Sequence, residues 1–127
     1  MNVAFIGIYT TSTKHLLESV VASQVLSCLK QHPDMVIMIG KNHGYNGAND
    51  HWGEMMERLA NRYVIPYKII EPDVESKMHP VNVYSVRRQM VDQSQIFVLF
   101  NSARLGVKEY IPMINKFHKS LKIVRVK

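Results

Sequence analysis

The sequence predicts an α/β fold: a single domain holding a doubly wound sheet of about five mainly parallel strands, with helices on both faces. Three observations predict it. Short, continuously apolar runs recur along the chain, and segments with helical spacing of apolar residues separate them. The runs show no polar alternation, as suits central parallel strands covered on both faces. The first two runs each end at a glycine, where a strand should turn into a helix.

Asn2 to Ile8 reads as the first strand. From Thr13, the positions Leu17, Val21, Val25, Cys28 and Leu29 repeat with helical period until His32-Pro33 stops them. Met35 to Ile39 is the second strand, and Trp52, Met55, Met56, Leu59, Ala60 and Tyr63 mark one face of a second helix. That face could pair two copies of the chain, although a core is the simpler explanation. A third strand spans Pro66 to Ile70, ended by Glu71-Pro72-Asp73, and a polar loop runs on to Pro80.

Val81 to Asp92 reads as a helix, with Val83, Val86, Arg87 and Met90 on one face, despite valines that lower helix propensity. Gln95 to Phe100 is a fourth strand. Gly106 to Lys119 is a helix with Ile111, Ile114 and Phe117 on one side, and Pro112 confines its start to about one turn ahead. Lys122 to Val126 is the fifth strand.

The chain has 127 residues, 46% of them hydrophobic and 20% charged, enough for one core and too few for two. No apolar run approaches the ~18 residues of a membrane span, and the N-terminus carries no signal-peptide pattern. A cytosolic location is expected. The single cysteine, Cys28, excludes an internal disulfide and a cysteine-rich zinc site; it reads as core filler, as do Met35, Met38, Met55, Met56 and Met90.

A doubly wound sheet holds ligands beyond the carboxyl ends of its strands. That rule gathers Gly7 to Thr11, Gly40 to Asp50, Glu71 to Asp73 and Asn101 to Gly106 on one rim. At the first turn, Gly7 and Ile8 lead into Tyr9, which could stack on a base, and into the hydroxyls of Thr10 and Thr11. At the second, Gly40 leads to Gly44, Asn46, Gly47, Ala48, Asn49 and Asp50, just ahead of an amphipathic helix whose N-terminal amides would face an anion. Neither a full dinucleotide fingerprint nor a P-loop is present.

Asn101, Ser102 and Gly106 complete the rim, and Arg87, Arg88 and Arg104 are candidate phosphate partners. His43, His51 and His79 lack the carboxylates that would complete a metal site, so no metal is expected. No cofactor is expected either. The net charge of +6 favours anionic partners. The acid-free basic run from Lys116 lacks the interleaved aromatics of a nucleic-acid surface.

In the order of these elements the chain resembles the SLOG superfamily of Rossmann-like proteins, in particular its small stand-alone YspA/YpsA-related branch. Ile6-Gly7, Gly44-Tyr45-Asn46-Gly47-Ala48-Asn49, Ile65-Pro66, Pro72-Asp73, Met90-Val91-Asp92, Ser102 and Gly106 carry the resemblance. Departures fall at Ile8 and Tyr9, where the family has serine and arginine, at Asn49, at Val107, and at Arg87, one place from the family's arginine.

What the resemblance implies is a single Rossmann-like domain that recognises a nucleotide or nucleotide-derived anion, such as an ADP-ribose or a cyclic nucleotide. Such a protein would act as a sensor or sequestering module, expected as a homo-oligomer. An enzyme of N-glycosidic bonds is the second expectation, resembling deoxyribosyltransferases and phosphoribohydrolases. Glu109 would be its carboxylate, with Asp73 or Asp92 behind it. Single-stranded nucleic-acid binding, performed by a related branch, is the third and is not favoured.

Overall fold

A computed structural model describes residues 1–8, 14–41, 51–73 and 79–125. Their elements alternate strictly: β1 (Asn2–Ile6), α1 (Lys14–Gln31), β2 (Val36–Gly40), α2 (Trp52–Arg62), β3 (Tyr67–Ile70), α3 (His79–Gln93), β4 (Ile96–Phe100), α4 (Tyr110–Lys116) and β5 (Ser120–Val124). The strands form one sheet in the order β3-β2-β1-β4-β5, and every pairing is parallel. The α/β fold of the Rossmann-like kind follows. From β1 the chain steps outward to β3, returns across the sheet through α3, and steps the other way to β5. The order therefore reverses between β1 and β4.

Alternation along the strands builds two cores. Val3 and Phe5, Ile37 and Ile39, and Val98 and Phe100 pack against α1 and α2, with Val21, Val25, Trp52, Met55, Met56 and Leu59. Ala4 and Ile6, Met38, and Phe97 and Leu99 pack on the other face against α3 and α4, with Val86, Met90, Val107, Tyr110 and Ile114. Because successive side chains of a strand point to opposite faces, a central strand must be apolar at every position to serve both layers.

Several boundaries differ from the sequence reading. Strand β1 ends at Ile6 rather than Ile8, and β5 starts at Ser120, two residues earlier than expected. Helix α4 is shorter than Gly106–Lys119, because Val107–Glu109 form a turn and only from Tyr110 is the chain helical. Pro112 is then the third helical residue, where a missing N–H costs nothing. Phe117 caps α4 and is 54% exposed, so it does not join Ile114 in the core; buried Tyr110 takes that role.

Val81 to Asp92 is helical, within α3, since burying Val83, Val86 and Val91 outweighs their weak propensity. The methionine face of α2 is core: Trp52, Met55 and Met56 are at most 1% exposed, and they cannot form a dimer surface.

Helices α2 and α4 end alike. After α2, Val64 takes φ of 55° while its amide donates to Asn61 O and the Ile65 amide donates to Ala60 O at 2.8 Å. After α4, His118 takes φ of 53°, its amide donating to Asn115 O and that of Lys119 to Ile114 O at 3.1 Å. Both are Schellman closures, in which a left-handed residue lets two orphan carbonyls find donors. Among the described residues no helix is long and apolar enough to cross a membrane.

Candidate functional site

Five parallel strands put all their carboxyl ends on one edge, which fixes where Ile6, Gly40, Ile70, Phe100 and Val124 lie. Of the residues expected on that rim, Gly7, Ile8, Gly40, Lys41, Glu71 and Asp73 are on it. Tyr9, Thr10, Thr11, His43, Gly44, Asn46, Gly47, Ala48, Asn49, Asp50, Asn101, Ser102, Arg104 and Gly106 lie outside the described residues.

The two rim glycines have packing reasons of their own. A Cβ on Gly7 would come within 2.6 Å of Cη2 and Cζ3 of Trp52 and 3.1 Å of Phe100 Cβ. One on Gly40 would meet Val86 Cγ1 at 2.9 Å and Met90 Cγ at 3.3 Å. Each glycine thus lets a side chain of a helix close down on a strand end, Trp52 of α2 over β1 and Val86 of α3 over β2. The close approach that glycine permits here is made by the protein itself.

Helix α3 descends from the rim, so Val86 beside the end of β2 sets the height of its neighbour Arg87. Arg87 points toward α4, where its guanidinium carbon lies 5.6 Å from the centre of the Tyr110 ring. A cation over an aromatic face is favoured electrostatically, but it leaves the guanidinium N–H groups seeking acceptors. Nε of Arg87 is buried and has no hydrogen-bond partner among the described residues, and neither has the hydroxyl of Tyr110, whose side chain is wholly buried. Burial pushes the Tyr110 phenol well above its ordinary range, with Arg87 opposing. The phenol therefore keeps its proton at neutral pH and can donate.

Buried donors without acceptors cost free energy, roughly 1–3 kcal/mol for a neutral group. Here two of them sit at the α3–α4 interface. Val107, at the start of the turn into α4, packs in the same core as Ile6, Leu99 and the half-buried Ile8. The pair therefore flanks the ends of β1 and β4, where the strand order reverses, which is the place at which open parallel sheets receive ligands. Glu109 stands in the turn between Val107 and Tyr110 on the same side, and its side chain does not cap α4.

At the β3 end the polar residues satisfy one another. The Asp73 amide donates to Ser85 Oγ at 2.9 Å, the Ser85 hydroxyl donates back to Asp73 Oδ1, and Arg88 pairs with Asp73 Oδ2. Gln89 Nε2 donates to the Glu71 carbonyl at 2.8 Å, and Lys41 pairs with Glu71 at 2.8 Å. The Ser85 hydroxyl, with Arg88 beside it, holds the Asp73 carboxyl below its ordinary range. Arg88, a candidate phosphate partner, is thus engaged by Asp73. Asp92 lies exposed near the opposite end of α3, away from the rim.

Sequence reasoning missed Tyr110, which sits among Ile111, Pro112 and Met113 as ordinary core, and Ser85 and Gln89, whose partners Asp73 and Glu71 lie just after β3. No spacing signal marks any of them. Among the described residues no group of three potential metal ligands exists, and His51 pairs with Glu54 at 3.2 Å. Cys28 is half-buried and lines a cavity of about 170 Å³ between α1 and β5 with Gln24, Ser120 and Lys122. That volume is below the roughly 300 Å³ of a usual small-molecule site, too little for a nucleotide.

Compared with protein-family models, with curated proteins and with solved structures, the chain matches none of them.

Proposed function

We propose that this protein binds a small nucleotide or nucleotide-derived anion, of the ADP-ribose or cyclic-nucleotide type, at the rim where β1 and β4 diverge. One observation carries the reading: Arg87 Nε and the Tyr110 hydroxyl are buried donors without acceptors among the described residues, beside the reversal of strand order. A phosphate would supply acceptor oxygens to both, and guanidinium is the side chain best suited to hold one. The net charge of +6 supports an anionic partner.

The protein then acts as a cytosolic sensor or sequestering module, a role consistent with the SLOG resemblance, and as a homo-oligomer. Glu109 on the same rim supports a second reading, cleavage of an N-glycosidic bond, in which a carboxylate faces an oxocarbenium-like centre.

The test is a panel of NAD, ADP-ribose, cyclic nucleotides and nucleoside monophosphates, followed by thermal shift and by chromatography of the recovered small molecule. Stabilisation by an intact ligand, lost in Arg87→Ala, is the expected outcome. Free base that disappears in Glu109→Gln would establish the second reading. If no nucleotide raises the melting temperature, both fail.

A further inference from the structure

We infer that the outer edge of β5 is a strand-addition site for an extended acidic segment of another protein, one that alternates acidic and apolar residues. Among the described residues β5 has one neighbour, β4, paired from Ile96 with Ser120 to Phe100 with Val124. The Ser120 amide donates to Gln95 O, so Ser120, Lys122 and Val124 spend their backbone groups on β4. By the alternation of a parallel ladder, Leu121 and Ile123 direct N–H and C=O outward. A row of such groups is a ready template for another strand.

The side chains say which strand. On one face Lys122 reaches Gln24 Oε1 at 2.9 Å beside the cavity of about 170 Å³, room for a side chain of an added strand. On the other face Ile123 is 47% exposed, and Phe117, at the end of α4, is 54% exposed. From Lys116 onward the sequence holds Lys116, Lys119, Lys122, Arg125 and Lys127 and no acid. A second copy of β5 paired antiparallel about its centre would set Lys122 against Lys122, which like-charge pairing across strands opposes. An acidic residue beside Lys122 and an apolar one beside Ile123 satisfy both faces at period two. A nucleic acid would match the charge but leave the outward backbone groups unused.

The experiment titrates the full chain into a fluorescein-labelled peptide of alternating Glu and Val, about eight residues long. Controls are a Lys-Val peptide, a Glu-Val peptide N-methylated at alternate amides, and a single-stranded oligonucleotide. Binding of the Glu-Val peptide alone is expected, weakened by salt and reduced by roughly tenfold or more in Lys122→Glu/Arg125→Glu, whose fold is checked by its melting curve. The N-methylated arm decides the matter even if that variant does not fold. The proposal is overturned if Glu-Val does not bind, if the methylated peptide binds as well, or if the oligonucleotide binds in its place. Release of the Glu-Val peptide as the chain self-associates at higher concentration would assign the edge to a second copy and overturn it too.

Discussion

Trp52 closes over Gly7: the indole Nε1 donates to the Phe5 carbonyl at 2.7 Å, and the six-membered ring occupies the space a Cβ on Gly7 would need. The contact ties the start of α2 to the carboxyl end of β1, next to Phe100, whose ring centre lies 5.5 Å from that of Trp52. Strand end, helix start and the end of β4 are locked together at the point where the strand order reverses.

Gly7→Ala should therefore destabilise the fold by about 1–3 kcal/mol, since a rigid aromatic ring must move to admit one methyl. Gly53→Ala is the matched control: its Cβ would meet Ile39 Cγ2 at an ordinary 3.5 Å, and a helical alanine in place of glycine should stabilise by up to about 1 kcal/mol. Urea unfolding followed by the fluorescence of the sole tryptophan compares the two. Equal midpoints would show that the packing at Gly7 is not tight.

Val64→Gly should make the protein more stable by about 1 kcal/mol. Val64 is a β-branched residue held at φ of 55° to close α2, and it is 88% exposed, so its side chain contributes little packing to set against the backbone strain. A higher urea midpoint at an unchanged slope is the expected result, and a lower one would mean that the valine makes an apolar contact the strain argument ignores.

Tyr110→Phe separates stability from binding. Removing a buried hydroxyl that has no partner among the described residues should leave the free protein as stable as before or more so, by up to about 1 kcal/mol, while weakening the nucleotide-like ligand that would have satisfied it. Arg87→Lys should weaken that ligand as well, because an ammonium lacks the planar fork. A Tyr110→Phe protein that is clearly destabilised would show that the hydroxyl already has an acceptor.

The carboxyl of Asp73 titrates below its ordinary value near 3.8 because Ser85 and Arg88 favour the charged form. A carboxylate with a depressed folded pKa contributes stability that is complete above the unfolded pKa and is lost as pH falls through the folded one. The loss should begin below about pH 4. Asp73→Asn should lower stability at neutral pH and flatten the acid limb, so that the two melting curves converge at low pH. Because Asp73 is half exposed, solvent screening keeps the effect small. Parallel acid limbs would count against the assignment.

The sequence by itself determined the class of fold and the order of its elements. Runs such as Val36 to Ile39 and Phe97 to Phe100 can bury a side chain on each face only inside a covered parallel sheet, and helical spacing at Val21 and Val25 or at Met55 and Leu59 needs no distant partner to be recognised. It also gathered the candidate site residues on one rim, because parallel strands share a carboxyl edge, and named Arg87 among the candidates. Only the tertiary structure decided what the glycines at 7 and 40 accommodate, that Arg88 is taken by Asp73, and that Tyr110 lies under Arg87. These depend on which helix crosses which strand end, at separations such as the 45 residues between Gly7 and Trp52. Local periodicity carries no information about such distant contacts.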